Sequence, residues 1–186
     1  MSSFSHYFIG IPIAASIQQW LASWQEATKE KVSYKSWTNP LDFHITLKFL
    51  GATSTEEIQA IHKSLQTIQQ NTFSVQIGTL GFFGKRTQPR VMWAGVQKNK
   101  ELQALYEEVE EICVNLGRSK ETRVYTPHIT LAKKWRDSAI HIDQSNVKIG
   151  IRDHSMQTMD IDQFHIYQIH PHQQVKYDPI FTYKLK

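Results

Sequence analysis

Four residues occur twice in this chain. His44-Ile45-Thr46-Leu47 and His128-Ile129-Thr130-Leu131 are identical and stand 84 positions apart. Histidine is the side chain whose unperturbed pKa, ~6.5, lets it take or give a proton near neutral pH. A threonine hydroxyl both donates and accepts hydrogen bonds. In each copy β-branched and apolar residues alternate with polar ones, which predicts a strand. Successive strand side chains point to opposite faces. His44 and Thr46 therefore share one face, and so do His128 and Thr130. Ile45, Leu47, Ile129 and Leu131 take the other, which is assigned to a core. Two such pairs facing each other make a pocket with two acid/base groups and two hydrogen-bond donors.

Three longer stretches surround these motifs. They are Phe43-His44-Ile45-Thr46-Leu47-Lys48-Phe49-Leu50-Gly51, Arg90-Val91-Met92-Trp93-Ala94-Gly95-Val96 and Pro127-His128-Ile129-Thr130-Leu131-Ala132-Lys133. With the paired His-x-Thr they make the chain resemble the two-histidine phosphoesterase superfamily. Within it, the bacterial and archaeal RNA 2′,3′-cyclic phosphodiesterases, historically called 2′-5′ RNA ligases, are most similar. The resemblance runs from about Tyr7 to the last expected strand. It implies one α+β domain over residues 1–186, with two pseudo-symmetric lobes. Antiparallel sheets would line a central cleft and helices would lie outside. It also implies roles: His44 as the acid that protonates O3′, and His128 as the base that activates water. The position five after the second motif histidine carries a phosphate-contacting arginine in the family; here it is Lys133. The change keeps the charge and loses the bidentate fork. By strict alternation Lys133 falls opposite to His128, so it reaches the cleft only where the strand bends or ends.

The implied reaction suits these residue types. Opening a 2′,3′-cyclic phosphate at an RNA end needs a water deprotonated as it attacks phosphorus. It also needs a proton delivered to the departing ribose oxygen. The two events are in line, so the helpers stand on opposite sides of the phosphate. A positioned acid or base typically contributes about 10²–10⁴-fold. The Thr46 and Thr130 hydroxyls would serve the negative non-bridging oxygens. No metal or other cofactor is implied, because two separated histidines without a carboxylate or thiol cluster are a poor ligand set for zinc. Ligation to a 2′-5′ linkage, hydrolysis of another small cyclic or 2′-5′ linked nucleotide, and a non-catalytic module that clamps RNA ends stand as alternatives.

The totals bound the setting. A length of 186 residues suits one domain or two small lobes. Net charge is +4 and the pI is near 9.1, which permits a polyanionic partner without demanding one. Cys113 is the one cysteine, so no intrachain disulfide forms and the chain suits a reducing cytoplasm. No apolar stretch approaches the ~20 residues that span a bilayer. The first six residues lack a signal-peptide pattern. A cytoplasmic monomer acting on RNA ends or small cyclic nucleotides is expected, with no membrane partner.

The elements that must hold the motifs can also be read. Tyr7 to Ile13 predicts a strand. Ile17, Trp20, Leu21 and Trp24 predict a helix over Ala14 to Lys29. Tyr34 to Trp37 predicts a short strand, and Asn39-Pro40 a turn. Ser54-Thr55-Glu56-Glu57 matches a capping box, ahead of Ile58, Ile61, Leu65 and Ile68 at helical spacing. Phe73 to Leu80 and Arg90 to Val96 predict strands joined by a loop over Gly81 to Pro89. Leu102, Leu105, Val109, Ile112 and Leu116 predict a helix closed by Gly117. Met159 to Ile169 predicts one strand, Pro171 to Gln174 a turn, and Tyr177 to Leu185 a last strand. Arg136 to Gln157 has no clean period.

Other candidates are assigned bland roles. Cys113 lies on an apolar helix stripe, as an inert core thiol. His170-Pro171-His172 reads as an exposed turn, and His62 as a helix boundary residue. His6, His141, His154 and His165 have no partner pattern. The basic groups Lys85, Arg86, Arg90 and Arg118, Lys120, Arg123 read as solvated loops.

Overall fold

The computed structural model describes residues 5–136, 141–149 and 155–186. Its strands are β1 (His6–Pro12), β2 (Tyr34–Trp37), β3 (His44–Ala52), β4 (Phe73–Gly84), β5 (Pro89–Val96), β6 (His128–Trp135), β7 (Gln157–Ile161), β8 (Gln163–Ile169) and β9 (Tyr177–Lys184). The helices are α1 (Ala15–Thr28), α2 (Thr55–Leu65), α3 (Lys100–Asn115) and the short α4 (Gln144–Ile149). Residues 137–140 and 150–154, with His154, lie outside the described residues.

Two antiparallel sheets form, in the orders β3-β1-β8-β9 and β2-β6-β5-β4-β7. Each holds one motif strand. The sheets do not follow the halves of the sequence. β2 crosses to pair with β6, and β8 and β9 return to pair beside β1. β3 and β6 approach each other across the two sheets, and the Tyr125 hydroxyl donates to the Thr46 carbonyl at 3.2 Å.

The apolar face of each motif strand forms core as expected: Ile45, Leu47, Ile129 and Leu131 are buried. The long helices cover that core. α1 packs on β6 and α3 on β3, with α2 against α3. Their ends follow local rules. Ser54 and Glu57 close the expected capping box at 3.2 and 2.8 Å. Asn99 caps α3 by accepting from Leu102 N–H at 2.8 Å. Gly117 takes φ +82°, and the next N–H, from Arg118, returns to the Cys113 carbonyl. Cys113 is fully buried, and burial pushes its thiol up to about 11, which fits an inert core group.

Three expectations change. The predicted loop over Gly81 to Pro89 shrinks to residues 85–88, because β4 continues through Phe82 and Phe83 to Gly84 and pairs with β5. Met159 to Ile169 is two strands, broken at Asp162, and each enters a different sheet. α2 ends at Leu65, so Ile68 is buried from the turn after the helix. Among the described residues no helix is long and apolar enough to cross a membrane.

Candidate active site

The two motif strands share an irregularity that alternation hides. β3 pairs Thr46 with Gly10 and Lys48 with Ile9, leaving Leu47 as an extra residue. β6 pairs Thr130 with Trp93 and Ala132 with Met92, leaving Leu131 extra. These are β-bulges at the same place in each motif, three residues after the histidine. A bulge advances the facing by one residue. Beyond it, Phe49 shares a face with His44 and Thr46, and Lys133 shares one with His128 and Thr130. Burial agrees: positions 45, 47, 48 and 50 are buried, as are 129, 131 and 132, while the histidines, threonines and Lys133 are half-exposed. This corrects the parity objection to Lys133. The bulge in β6 is held from the core side. The Leu131 carbonyl accepts from the buried Gln25 amide of α1 at 2.9 Å and from Thr38 N–H at 3.0 Å. In β3 the residue after the bulge, Lys48, turns inward and ion-pairs with Glu110 of α3 at 2.8 Å.

Both histidines are fixed in the same way. His44 Nδ1 lies 2.7 Å from the Asp42 carbonyl, and His128 Nδ1 lies 2.7 Å from the Thr126 carbonyl. A carbonyl only accepts, so each Nδ1 carries the hydrogen. In the neutral ring that leaves the Nε2 lone pair free to take a proton. Neither Thr46 nor Thr130 spends its hydroxyl on a hydrogen bond with another described residue.

The walls differ. Phe8, Tyr177 and Tyr167 surround the His44 ring, with centroids at 4.5, 5.1 and 6.2 Å. Phe83 and Trp93 flank His128 at 5.0 and 5.9 Å. Burial pushes His44 down to about 4; its hydrogen bond to Asp42 opposes this, and the charges of His128 and Lys133 add to it. Burial also lowers His128, against its hydrogen bond to Thr126. Lys133 is lowered by burial first and then by Lys176 and Lys134, with Asp42 opposing.

Asp42 was not legible in the sequence. Its carboxylate is buried and accepts from Lys176 N–H at 2.9 Å and Tyr177 N–H at 3.1 Å, tying the β8–β9 turn to the residue that holds His44. Those partners are 134 and 135 positions away, and no spacing rule points to them. Phe8, Tyr177 and Trp93 were equally invisible as histidine walls.

The bland assignments mostly stand. His62 shares a 2.8 Å hydrogen bond with the Tyr183 hydroxyl and stacks on Phe181. Arg118 pairs with Glu57, and Arg123 with Glu121, so both face carboxylates on the protein itself. Lys85, Arg86 and Arg90 are exposed. His170 leads into a turn that holds the exposed His172. Among the described residues no group of three or more His, Cys, Asp or Glu could hold a metal ion. A cavity of about 910 Å³ lies between residues 67–74 and 99–108 and touches neither motif.

The chain is 35% identical to the RNA 2′,3′-cyclic phosphodiesterase of Bacillus subtilis (strain 168), over 97% of this chain and 96% of the relative. Its fold is similar to E. coli LigT complexed with 3′-AMP, with a TM-score of 0.79, 20% identity and 98% of both chains covered. It is also similar to a solved structure from Thermus thermophilus, TT0787, with a TM-score of 0.76, 17% identity and 97% of both chains covered. At those identities the two solved structures speak for the fold alone. The family described as the AKAP7 2'5' RNA ligase-like domain matches residues 5–185. With both His-x-Thr strands in place across two antiparallel sheets, the chain belongs to the 2′-5′ RNA ligase-like family of two-histidine phosphoesterases.

Proposed function

We propose that this protein hydrolyses RNA 2′,3′-cyclic phosphate ends to 2′-phosphomonoesters, breaking the bond from phosphorus to O3′. The observation that carries the proposal is the matched pair of imidazoles. Each has Nδ1 tied to the carbonyl two residues before it, its Nε2 free, and a threonine hydroxyl on the same strand face. In this reading His44 protonates O3′ and His128 takes the proton of the attacking water. Thr46 and Thr130 donate to the non-bridging oxygens, and Lys133 adds a positive charge beside them. The B. subtilis relative supports the substrate class.

The cyclic phosphate is an anion, and it changes the proton balance of the pocket. Burial disfavours the imidazolium of His44 in the free protein. A phosphate bound beside the ring favours it, because an opposite charge within ~4–6 Å stabilises the charged form. Substrate binding thus helps to charge the acid. Its walls of Phe8, Tyr167 and Tyr177 keep that interaction in a medium of low polarity.

The reaction in this reading is independent of metal, since the acid, the base and the oxyanion donors are all side chains. RNA ends and small nucleotides carrying a 2′,3′-cyclic phosphate are the partners, and a cytoplasmic monomer is the setting. The test uses pure protein in EDTA and an oligonucleotide ending in a 2′,3′-cyclic phosphate. Conversion to the 2′-phosphate supports the reading. Loss of turnover on chelation, restored by a divalent ion, contradicts the metal-free mechanism. Tight binding without turnover replaces the enzyme with an RNA-end binding module.

A further inference from the structure

The acceptor that holds each motif histidine is a backbone carbonyl, and the two carbonyls stand on different supports. Asp42 ends a single 3-10 turn, Pro40–Asp42, and its own carboxylate anchors it to Lys176 and Tyr177. Thr126 has no such frame. Residues 118–127, between α3 and β6, are neither helix nor strand. A segment without a hydrogen-bonded ladder keeps its carbonyls in place only through the anchors it is given.

Those anchors come from the first motif strand and from α3. Lys48, one residue past the bulge of β3, places its ammonium 2.8 Å from both carboxylate oxygens of Glu110. The same ammonium donates to the Ser119 carbonyl at 2.6 Å, and Glu110 accepts from Glu121 N–H at 2.6 Å. The Glu121 carboxylate gathers the next residues, accepting from Thr122 N–H and Arg123 N–H at 3.0 Å. One turn before Glu110 on α3, and so on the same helix face, Tyr106 stacks on Tyr125 with centroids 3.9 Å apart and planes 6° from parallel. The Tyr125 hydroxyl donates to the Thr46 carbonyl of the edge strand β3 at 3.2 Å. Thr126, the next residue, supplies the carbonyl for His128.

Stability is a poor reason to keep a buried ion pair here. Lys48 and Glu110 are each 7% exposed, and apolar residues of similar volume in place of such a pair often leave stability equal or better. An apolar pair could neither accept from Glu121 N–H nor donate to the Ser119 carbonyl. We propose that Lys48, Glu110 and Tyr125 are positioning residues for His128: they fasten the segment before β6 to the first motif strand, and so fix the carbonyl that orients the second imidazole. The proposal rests on the functional reading above for what His128 does. The first motif strand thus carries one histidine and holds the support of the other. The two motif strands lie in different sheets, so this fastening keeps acid and base in step across the phosphate. A misplacement of about 1 Å at a reacting group can cost about 10²-fold in rate.

Two variants test it. Lys48→Met combined with Glu110→Leu removes the ion pair and keeps the core filled. Tyr125→Phe removes one hydroxyl and keeps the ring on Tyr106. Each is measured for thermal unfolding, for kcat and KM with adenosine 2′,3′-cyclic phosphate, and for the titration of His128 and His44 by NMR of histidine-labelled protein. The double variant should fold and lose about tenfold to 10²-fold in kcat with KM little changed. The hydrogen bond to the Thr126 carbonyl favours the imidazolium of His128. Freeing the ring from it should move the His128 titration to lower pH, and the acidic limb of kcat/KM with it, while His44 titrates as in the wild type. Tyr125→Phe should move both readouts the same way by less. A merely structural role lowers the Tm and leaves the His128 titration in place. Wild-type kcat and His128 titration in both folded variants overturn the proposal. Equal shifts of the two histidines, the mark of a cleft loosened as a whole, overturn it too. If the double variant does not fold, Tyr125→Phe decides, and wild-type values there overturn the proposal. A wild type that leaves the cyclic phosphate intact removes the functional reading, and the His128 titration then decides the positioning by itself.

Discussion

The two motif strands are the same four residues set in two different surroundings. Both bulge at the leucine, both present histidine and threonine to the cleft, and both tie Nδ1 to the carbonyl two residues back. They part company one residue past the bulge. In β3 that residue is Lys48, buried against Glu110; in β6 it is Ala132, and the bulge carbonyl is held instead by Gln25. On the cleft face, β3 then offers Phe49, which is 66% exposed, where β6 offers Lys133. The histidine walls differ too, with three aromatic rings around His44 and two around His128. The lesson is that, in the proposed reaction, the repeated motif supplies the reactive atoms, while the unrepeated neighbours make one histidine unlike the other.

The largest effect should come from the shared part. His44→Ala and His128→Ala should each lower kcat/KM for a cyclic phosphate by about 10²–10⁴-fold. If one variant kept wild-type turnover while folded, the equivalence of the two strands would be broken.

Thr46→Ala and Thr130→Ala come next. Loss of one donor to a developing oxyanion costs about 10²–10³ in kcat. Wild-type kinetics in both folded variants would remove the clamp. Equal losses would show that the pseudo-symmetry extends to the phosphate.

The supports of the bulges sharpen the difference. Lys48→Met leaves Glu110 buried without its cation, a change that typically costs about 3–5 kcal/mol. Gln25→Ala leaves the Leu131 carbonyl short of one donor, at about 1–3 kcal/mol. Thermal unfolding should rank the two in that order. Gln25→Ala should also raise KM, because Lys133 depends on that bulge for its facing. A KM equal to wild type, with the stability loss present, would separate the bulge from the site.

How much of this could be read from the sequence follows from which contacts are local. The capping box at Ser54, the helix stripe ending at Gly117 and the polar alternation around His44 and His128 are written within a few residues, and each was legible. The facing of Lys133 was not, because a bulge is a property of two paired strands. It shows only when Thr130 is matched to Trp93 and Ala132 to Met92. The break at Asp162 was hidden for a similar reason: β7 and β8 both read as strand, and only their partners, β4 and β1, tell them apart. Asp42 holds a turn more than 130 positions away, so its role exists only in the folded chain.

A further effect concerns stability against pH. The folded His44 titrates near 4, below the ~6.5 of an unfolded histidine. The unfolded chain therefore binds more protons between those values, and stability should fall as pH drops from about 6.5 toward 4. His44→Gln should lose that part of the slope. An unchanged slope would mean that the ring is not held neutral by its aromatic walls.

The pH dependence of kcat/KM for cyclic phosphate hydrolysis tests the central claim most directly, because it asks whether two histidines work as acid and base in one molecule. The base must be neutral while the acid is protonated, so the profile should be bell-shaped. Burial lowers both imidazoles in the free protein, so both limbs should fall on the acid side of an ordinary histidine, below about 6.5. The kcat profile should sit higher, since the bound phosphate favours the imidazolium. His128→Ala should flatten the acidic limb and His44→Ala the basic limb, read by single-turnover cleavage with excess enzyme. A flat wild-type profile, with chemistry shown to be rate-limiting, would contradict the account.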